Sequence, residues 1–181
     1  MKNKKIIVLV GPSGSGKTSI GQILETKGIP RLVTTTTREA RLGEIDGVDY
    51  YFRSFSEADM DEFVEQTIYN KNRYGITKAE VESMLEKNDV VHVSLDKQGA
   101  DALEEAYPEE AYIVFVKITE EEMIERMKMR GDSQAQINER VLFCRKTDEL
   151  LPPEQTDLII RNNDLEESAQ TILDELAKAE E

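Results

Sequence analysis

The sequence predicts an α/β fold in which helices cover both faces of a parallel sheet. Short β-branched segments alternate along the chain with segments of helical periodicity, a pattern that favours parallel strands. The strand segments are apolar throughout, as expected of strands that are buried on both faces. We expect five strands in this sheet, at Lys5–Val10, Arg31–Thr35, Val90–Leu95, Ala111–Lys117 and Leu158–Arg161.

Helices are expected between these strands, and capping residues mark several of their starts. Thr77, Thr119 and Asp164 each precede a glutamate by three residues, which is the capping-box pattern. The expected helices are Lys17–Thr26, Lys78–Lys87, Ala100–Ala106, Glu120–Met129, Gln134–Leu150 and Leu165–Ala179.

Two segments interrupt the regular alternation of strands and helices. Residues 34–83 contain turn glycines and then an aromatic cluster, Tyr50, Tyr51, Phe52 and Phe55. We interpret this segment as a small inserted lobe that is built partly of antiparallel strands. Residues 126–146 form the second excursion, which we predict as two helices joined through Gly131 and Asp132.

Length and charge exclude several classes of partner. The 181 residues are enough for one domain with a proper core, and the formal net charge is −14. Such an acidic chain repels nucleic acids and anionic membrane surfaces, so we expect neither as a partner. Cys144 is the only cysteine, and the apolar run Ile6–Val10 is too short for a signal peptide. We therefore expect a cytoplasmic protein without an intramolecular disulfide.

Local clusters of basic residues nevertheless stand out from the acidic background. Residues 126–146 contain six basic residues against two acidic ones, and residues 31–41 contain three arginines against one glutamate. Such islands on an acidic body indicate that the protein binds a small, highly charged anion.

A glycine-rich loop after the first strand is the clearest functional motif. It fits the P-loop pattern in full and consists of Gly11, Pro12, Ser13, Gly14, Ser15, Gly16, Lys17 and Thr18. Its glycines let backbone N–H groups surround phosphate oxygens at the positive end of the next helix. Lys17 is expected to bridge the β- and γ-phosphates of a nucleotide, and the Thr18 hydroxyl to bind Mg²⁺.

The segment that follows narrows the prediction to one family. Residues 34–52 read TTTTREARLGEIDGVDYYF and closely resemble the acceptor lobe of guanylate kinases. With the P-loop they form one linear signature. On physical grounds alone, the guanidinium groups of Arg38 and Arg41 and the phenol of Tyr50 suit a monophosphate dianion. Later segments follow in the family's order over nearly the whole chain.

This resemblance implies both a fold and an activity. The fold would be a P-loop core, at residues 1–33, 84–125 and 147–181, with a GMP-binding lobe at 34–83 and an arginine-bearing lid at 126–146. The activity would be phosphorylation of GMP to GDP with ATP and Mg²⁺, so that GMP and ATP are the expected small-molecule partners.

The resemblance also assigns residues to the two substrates. The GMP phosphate would bind Thr34, Arg38, Arg41, Tyr50 and Tyr74, and the base would meet Glu65 and Asp96. A carboxylate such as Glu65 accepts from guanine N1–H and from the 2-amino group at once, a donor pair that adenine lacks. Asn162 would lie near the adenine of ATP. Charge neutralisation during transfer would come from Lys17, Arg38 and three lid arginines, Arg126, Arg130 and Arg140.

Among the positions that depart from the family pattern, two keep other functions open. Ile76 stands where a hydroxyl residue that touches the acceptor is usual, and Ser94 stands where an aspartate is usual. One alternative is therefore a related P-loop kinase that acts on another small acceptor. The other is a binding module of guanylate-kinase type that has no catalytic activity.

Overall fold

Eight strands and six α-helices make up the described chain. The structure is a computed structural model that describes residues 4–69 and 71–179. In chain order the elements are β1 (Lys5–Val10), α1 (Lys17–Thr26), β2 (Thr35–Thr36), β3 (Tyr51–Phe52), a 3₁₀-helix (Glu57–Glu62), β4 (Phe63–Tyr69), β5 (Asn72–Thr77), α2 (Lys78–Lys87), β6 (Val90–Ser94), α3 (Lys97–Ala106), β7 (Ala111–Lys117), α4 (Glu120–Arg130), α5 (Gln134–Lys146), β8 (Leu158–Arg161) and α6 (Leu165–Ala179). Within these residues no helix is both long and apolar enough to cross a membrane.

The central sheet is parallel and has the strand order β6-β1-β7-β8. Successive side chains of β1 point to opposite faces of this sheet, because side chains alternate along a strand. Ile6, Val8 and Val10 belong to one hydrophobic core, which α2 and α3 cover. Ile7 and Leu9 belong to a second core, which α1 and α6 cover. The expected parallel sheet with helices on both faces is confirmed.

The expectation of a fifth strand in this sheet is wrong. The segment predicted as Arg31–Thr35 pairs with β6 only through an isolated bridge between Arg31 and His92. The next backbone donor, the N–H of Val33, donates instead to the Glu80 carboxylate at 2.8 Å. Thr35 then pairs with Gly75 of β5 in another sheet. The described central sheet therefore has four strands, because the chain leaves β6 after this bridge and joins the second sheet at Thr35.

A second, mixed sheet has the strand order β3-β2-β5-β4 and lies between β1 and β6 in the sequence. β5 pairs antiparallel with both β2 and β4, whereas β2 and β3 run parallel. The antiparallel pairing that we expected for this part of the chain is present. Phe55 stacks on Phe63 with ring centroids 4.5 Å apart, and this pair helps to close one side of the sheet.

Helices α4 and α5 form a hairpin with a small core of its own. This core consists of Ile118, Met123, Met127, Ile137 and Cys144. α4 ends at Gly131, which has a left-handed backbone with φ +92° and so lets the chain turn into α5. Burial of Cys144 raises the pKa of its thiol to about 11, so the thiol packs in its protonated form.

Candidate active site

The P-loop turns sharply between the end of β1 and the start of α1. Gly16 caps α1 with φ +96°, a conformation that side-chain-bearing residues rarely adopt. A Cβ atom on Gly16 would lie 2.1 Å from Nδ2 of Asn162, and one on Gly11 would lie 2.6 Å from the carbonyl oxygen of Val116. Both positions therefore require glycine, because packed neighbours leave no room for a methyl group.

Lys17 lies folded over this loop. Its ammonium group donates hydrogen bonds to the carbonyl oxygens of Gly11 and, at 3.1 Å, of Pro12. Burial lowers the pKa of Lys17 to about 8, and the nearby Glu149 carboxylate opposes part of this effect. A partly desolvated cation held only by carbonyl oxygens is well suited to receive a phosphate anion.

Arg126 and Asn162 hold the loop from the side of α4 and β8. Arg126 donates to the carbonyl oxygen of Gly14 at 2.6 Å and to that of Asn162 at 3.2 Å. The buried Asn162 amide donates to the Ser15 carbonyl at 2.9 Å and accepts from Ser168 at 3.2 Å. These bonds go to carbonyl oxygens and so occupy none of the backbone N–H groups of the loop, of which that of Ser15 donates to the Pro12 carbonyl at 3.1 Å.

Arg38 forms a two-pronged ion pair with Glu44. Its two terminal nitrogens donate to the two Glu44 oxygens at 2.9 and 2.8 Å, and the Arg41 N–H donates to the same carboxylate at 2.7 Å. These bonds hold the pKa of Glu44 below its ordinary range and that of Arg38 above it. Glu44 thus fixes the guanidinium of Arg38 and the backbone at Arg41 in one arrangement.

Two tyrosines complete this cationic cluster. The Arg38 guanidinium lies over the ring of Tyr50, 5.2 Å from its centroid, and Tyr50 meets Tyr74 edge-to-face at 6.1 Å. The Arg41 side chain is exposed, so it is free to meet a ligand from solvent. The cluster presents two guanidinium groups and two phenols on one surface, the donor set that suits a phosphate monoester.

Glu65 and Asp96 meet at the first turn of α3. Asp96 caps this helix by accepting the Gly99 N–H at 2.7 Å, and a Cβ atom on Gly99 would lie 3.5 Å from the carboxyl carbon of Glu65. Glu65 is 8% exposed. Burial, followed by the negative charge of Asp96, raises the pKa of Glu65 to about 7. The site therefore contains one desolvated carboxyl beside a second carboxylate.

A cleft of about 1010 Å³ is bordered by the P-loop, the arginine–tyrosine cluster and Asp96, whereas Lys17 and Glu65 do not line it. Ser13 of the P-loop lines it on one side, and Asp96 lies along its wall. The opposite side is formed by the cluster around Arg38, with Arg41, Tyr50 and Tyr74. The phosphate loop and the arginine–tyrosine cluster thus face the same space.

The α4–α5 hairpin contributes further arginines near this cleft. Arg140 lines the cleft, donates to Glu149 at 2.6 Å and stacks over Phe143 at 5.0 Å. Arg130 is exposed and paired with Asp132, and it lines a neighbouring cavity of about 690 Å³ together with Ser13. Both arginines lie on the P-loop side of the molecule, where the charge of a polyphosphate would lie.

Comparison with known proteins identifies the family of this chain. The family model for guanylate kinase matches residues 3–179. The chain belongs to the guanylate kinase family. It is 36% identical over 177 residues to a guanylate kinase of Helicobacter pylori, covering 93% of this chain and 84% of the relative. It is 39% identical over 176 residues to a guanylate kinase of Wolinella succinogenes, covering 93% and 81%.

A solved structure agrees with this family assignment. The crystal structure of a guanylate kinase from Anaplasma phagocytophilum has a TM-score of 0.70 and 26% identity, and the match covers 99% of this chain and 88% of that one. The resemblance to guanylate kinases inferred from residues 34–52 and the P-loop is therefore confirmed.

Not all residues expected to form the guanylate kinase site face the large cleft. Those that line it are Ser13, Arg38, Arg41, Tyr50, Tyr74, Asp96 and Arg140. Thr18 is exposed on the first turn of α1, while Thr34 is half-buried and its carbonyl accepts the Tyr51 N–H at 2.9 Å. Arg126 and Asn162 contact the outside of the P-loop. Their expected roles toward nucleotides stay predictions.

Two carboxylates in this site were not predicted from the sequence. Glu44 lies inside the family motif, six residues after the Arg38 with which it pairs. Glu149, the partner of Arg140, lies beyond the end of α5 in a segment without a recognisable motif. No local pattern in the sequence points to Glu149.

Proposed function

We propose that this chain transfers the terminal phosphoryl group of ATP to GMP, which yields ADP and GDP. Membership of the guanylate kinase family supports the reaction. The observation that carries it is the shared cleft, in which the phosphate loop and the Arg38 cluster face one another. Two anion-binding groups in one cleft suit a reaction between two phosphorylated substrates, because both must be held in line.

On the donor side, the P-loop would bind the phosphates of ATP, with Lys17 on the β- and γ-phosphates. The described residues contain no cluster of three or more histidines, cysteines or carboxylates that could hold a metal by itself. The exposed Thr18 hydroxyl fits Mg²⁺, which commonly binds substrate phosphates with only one or two protein ligands. Mg²⁺ would neutralise charge on the phosphate oxygens when it is bound with ATP.

On the acceptor side, the phosphate of GMP would bind the Arg38 cluster. Arg38 and Arg41 supply positive charge, and the Tyr50 and Tyr74 hydroxyls supply hydrogen bonds. Thr34 is the further phosphate ligand that the family resemblance suggests. Because Glu44 already orients Arg38, little side-chain freedom is lost when the phosphate binds.

The guanine base would lie against Glu65 and Asp96. An ionised Glu65 accepts from N1–H and from the 2-amino group, whereas adenine offers no matching pair of donors. The nearly complete burial of Glu65 would make this recognition selective, since unpaired polar groups are costly where water is excluded.

Transfer would join an oxygen of the GMP phosphate to the γ-phosphorus of ATP. The bond from that phosphorus to the β–γ bridging oxygen breaks, and ADP leaves with the electron pair. Arg140 lies in the cleft and Arg130 beside it, so a modest movement of the α4–α5 hairpin would bring both onto the phosphates. In this proposal residues 34–83 are the acceptor lobe, residues 126–146 are the lid, and Asn162 lies near adenine.

A panel of nucleoside monophosphates, assayed with MgATP in a coupled ADP-release assay, tests this function. We expect GMP to give the highest kcat/KM, with AMP and CMP far below it. Faster transfer to another acceptor would favour the related kinase. Tight GMP binding by calorimetry without any transfer would favour the binding module.

A further inference from the structure

Thr67 places a hydroxyl group in the cleft next to the residues expected to hold the base. It lies on β4 two residues after Glu65 and directly opposite Tyr74 on β5. Residues two apart on a strand share a face, so Thr67 and Glu65 point to the same side of the sheet. The Thr67 side chain is part of the cleft wall, together with Tyr74 and Asp96.

The two positions where the family pattern is altered supply no substitute for this hydroxyl. Ile76 lies opposite Glu65 but is 0% exposed and packs in the core beside Val64 and Val81. Ser94 lines a smaller cavity of about 260 Å³ with Lys17, which adjoins the cleft at Asp96. Thr67 therefore supplies a hydroxyl group on the same face of β4 as Glu65, at a position that lines the cleft.

A hydrogen bond to Asp96 fixes the direction of the Thr67 hydroxyl. Thr67 donates to Oδ2 of Asp96 at 3.2 Å, and Oδ1 of the same carboxylate is held by the Gly99 N–H at 2.7 Å. A hydroxyl group has one hydrogen to donate and two lone pairs that accept. Because its hydrogen is used, Thr67 presents only an acceptor to a ligand in the cleft.

We propose that Thr67 is a specificity-determining residue whose oxygen accepts a hydrogen bond from the 2-amino group of guanine. This inference rests on the proposed function. Guanine offers three hydrogens on this edge, one on N1 and two on the 2-amino group. Glu65 can accept the N1 hydrogen and one amino hydrogen. Both oxygens of Asp96 already accept hydrogen bonds within the protein, from Thr67 and from the Gly99 N–H, which leaves the second amino hydrogen for Thr67. Hypoxanthine carries the same N1–H but has no 2-amino group, so Thr67 selects GMP over inosine monophosphate.

Steady-state kinetics of Thr67→Val with GMP and with inosine monophosphate test this proposal. Valine keeps the β-branched shape that suits a strand but removes the oxygen. We expect the ratio of kcat/KM for GMP to that for inosine monophosphate to fall about tenfold, the usual effect of one lost hydrogen bond in a binding site. The loss should come from GMP alone, while values for inosine monophosphate stay close to wild type.

Two control variants separate recognition from packing. Thr67→Ser retains the hydroxyl and should keep the ratio close to that of wild type. Gln66→Ala alters the neighbouring residue, whose side chain lies on the other face of β4 and bonds Arg73, and should leave the ratio unchanged. Thr67→Ala repeats the test without a branched side chain, and thermal unfolding of each variant reports its folding.

The proposal is overturned if Thr67→Val and Thr67→Ala keep the wild-type ratio. It is also overturned if they lower kcat/KM equally for both nucleotides, because Thr67 would then only position Asp96 or the lobe. If the wild-type enzyme phosphorylates GMP but the Thr67 variants keep its ratio of kcat/KM values, only the role of Thr67 is rejected. A wild-type enzyme without transfer to GMP rejects the proposed function as well.

Discussion

Replacing Glu65 by glutamine tests the base pocket most directly, because it preserves size and removes the charge. Burial raises the Glu65 pKa from its ordinary value of 4.5 to about 7. This shift corresponds to about 3 kcal/mol in the free energy of unfolding. The folded state binds this proton more tightly than the unfolded state does. The contribution is therefore fully present below about pH 4.5 and is lost as the pH rises through about 7.

Chemical denaturation of wild type and Glu65→Gln at several pH values measures this effect. The wild type should lose stability relative to the variant between about pH 4.5 and pH 7, by up to about 3 kcal/mol, and little more above that range. All other titrating groups are common to both proteins, so the difference isolates Glu65. A difference that does not change with pH would show that the carboxyl is not desolvated in solution.

The same pair of proteins tests recognition of guanine. Only ionised Glu65 accepts both guanine donors, so the ratio of wild-type to Glu65→Gln kcat/KM for GMP should rise about tenfold between about pH 6 and pH 8. The ionisation of the GMP phosphate cancels in this ratio. Above that range Glu65→Gln should have lost at least about 2 kcal/mol of transition-state stabilisation with GMP and little with AMP. Equal losses with all monophosphates would make Glu65 a structural residue.

Further substitutions test the phosphate site and the core. Lys17→Ala should fold but keep less than about a tenth of the wild-type transfer activity. A higher residual activity would reject the role of Lys17 on the phosphates. Arg130→Met should lower kcat far more than either KM, whereas a pure KM effect would limit Arg130 to ground-state binding. Ile76→Ser should lower the free energy of unfolding by about 3 kcal/mol in denaturation, since Ile76 is fully buried; an unchanged value would contradict this packing. Burial, followed by the charge of Arg31, lowers the His92 pKa from 6.5 to about 4. The free energy of unfolding should therefore fall by up to about 3 kcal/mol as the pH drops from 6.5 to about 4. His92→Gln should remove this contribution to the pH dependence of unfolding.

Most of the central sheet could be predicted because its determinants are local. β1, β7 and β8 have the predicted bounds, and β6 ends one residue early. Helix starts were predictable where a capping residue precedes a good helix former, as at Thr119. The start of α3 was predicted three residues late, at Ala100, because Asp96 acts as the cap and Gly99 lies in the first turn. A glycine in a first turn weakens the helical signal, although the cap is sufficient to start the helix.

The capping box predicted at Thr77 forms only in part, because long-range contacts engage its glutamate. Thr77 does accept the Glu80 N–H at 3.1 Å, as half of a capping box requires. The Glu80 carboxylate, however, accepts the Val33 N–H at 2.8 Å and the Tyr51 hydroxyl at 3.1 Å. This one side chain links α2 to the segment that was expected to form the fifth strand. Its partner lies 47 residues away, so no window of the sequence contains the information.

In the phosphate site, too, some features depend on local sequence and others on long-range contacts. The P-loop is one continuous segment whose glycine geometry could be predicted in full. The carboxylate partners of the arginines could not, because Glu149 reaches Arg140 only after α5 ends and Asp148 adopts a left-handed backbone with φ 52°. Arg38, Arg130 and Arg140 each have a carboxylate partner, so these cations, predicted to bind phosphate, are already paired.

The ion pairs of these arginines affect how a phosphate can bind in the cleft. A phosphate that enters the cleft must share Arg38 with Glu44 and Arg140 with Glu149. Removing only an arginine would leave a carboxylate without its partner beside the phosphate, which costs more than losing the arginine's own bond to the substrate. These ion pairs, rather than the formal net charge of −14, therefore set the local charge that the phosphate meets in the cleft.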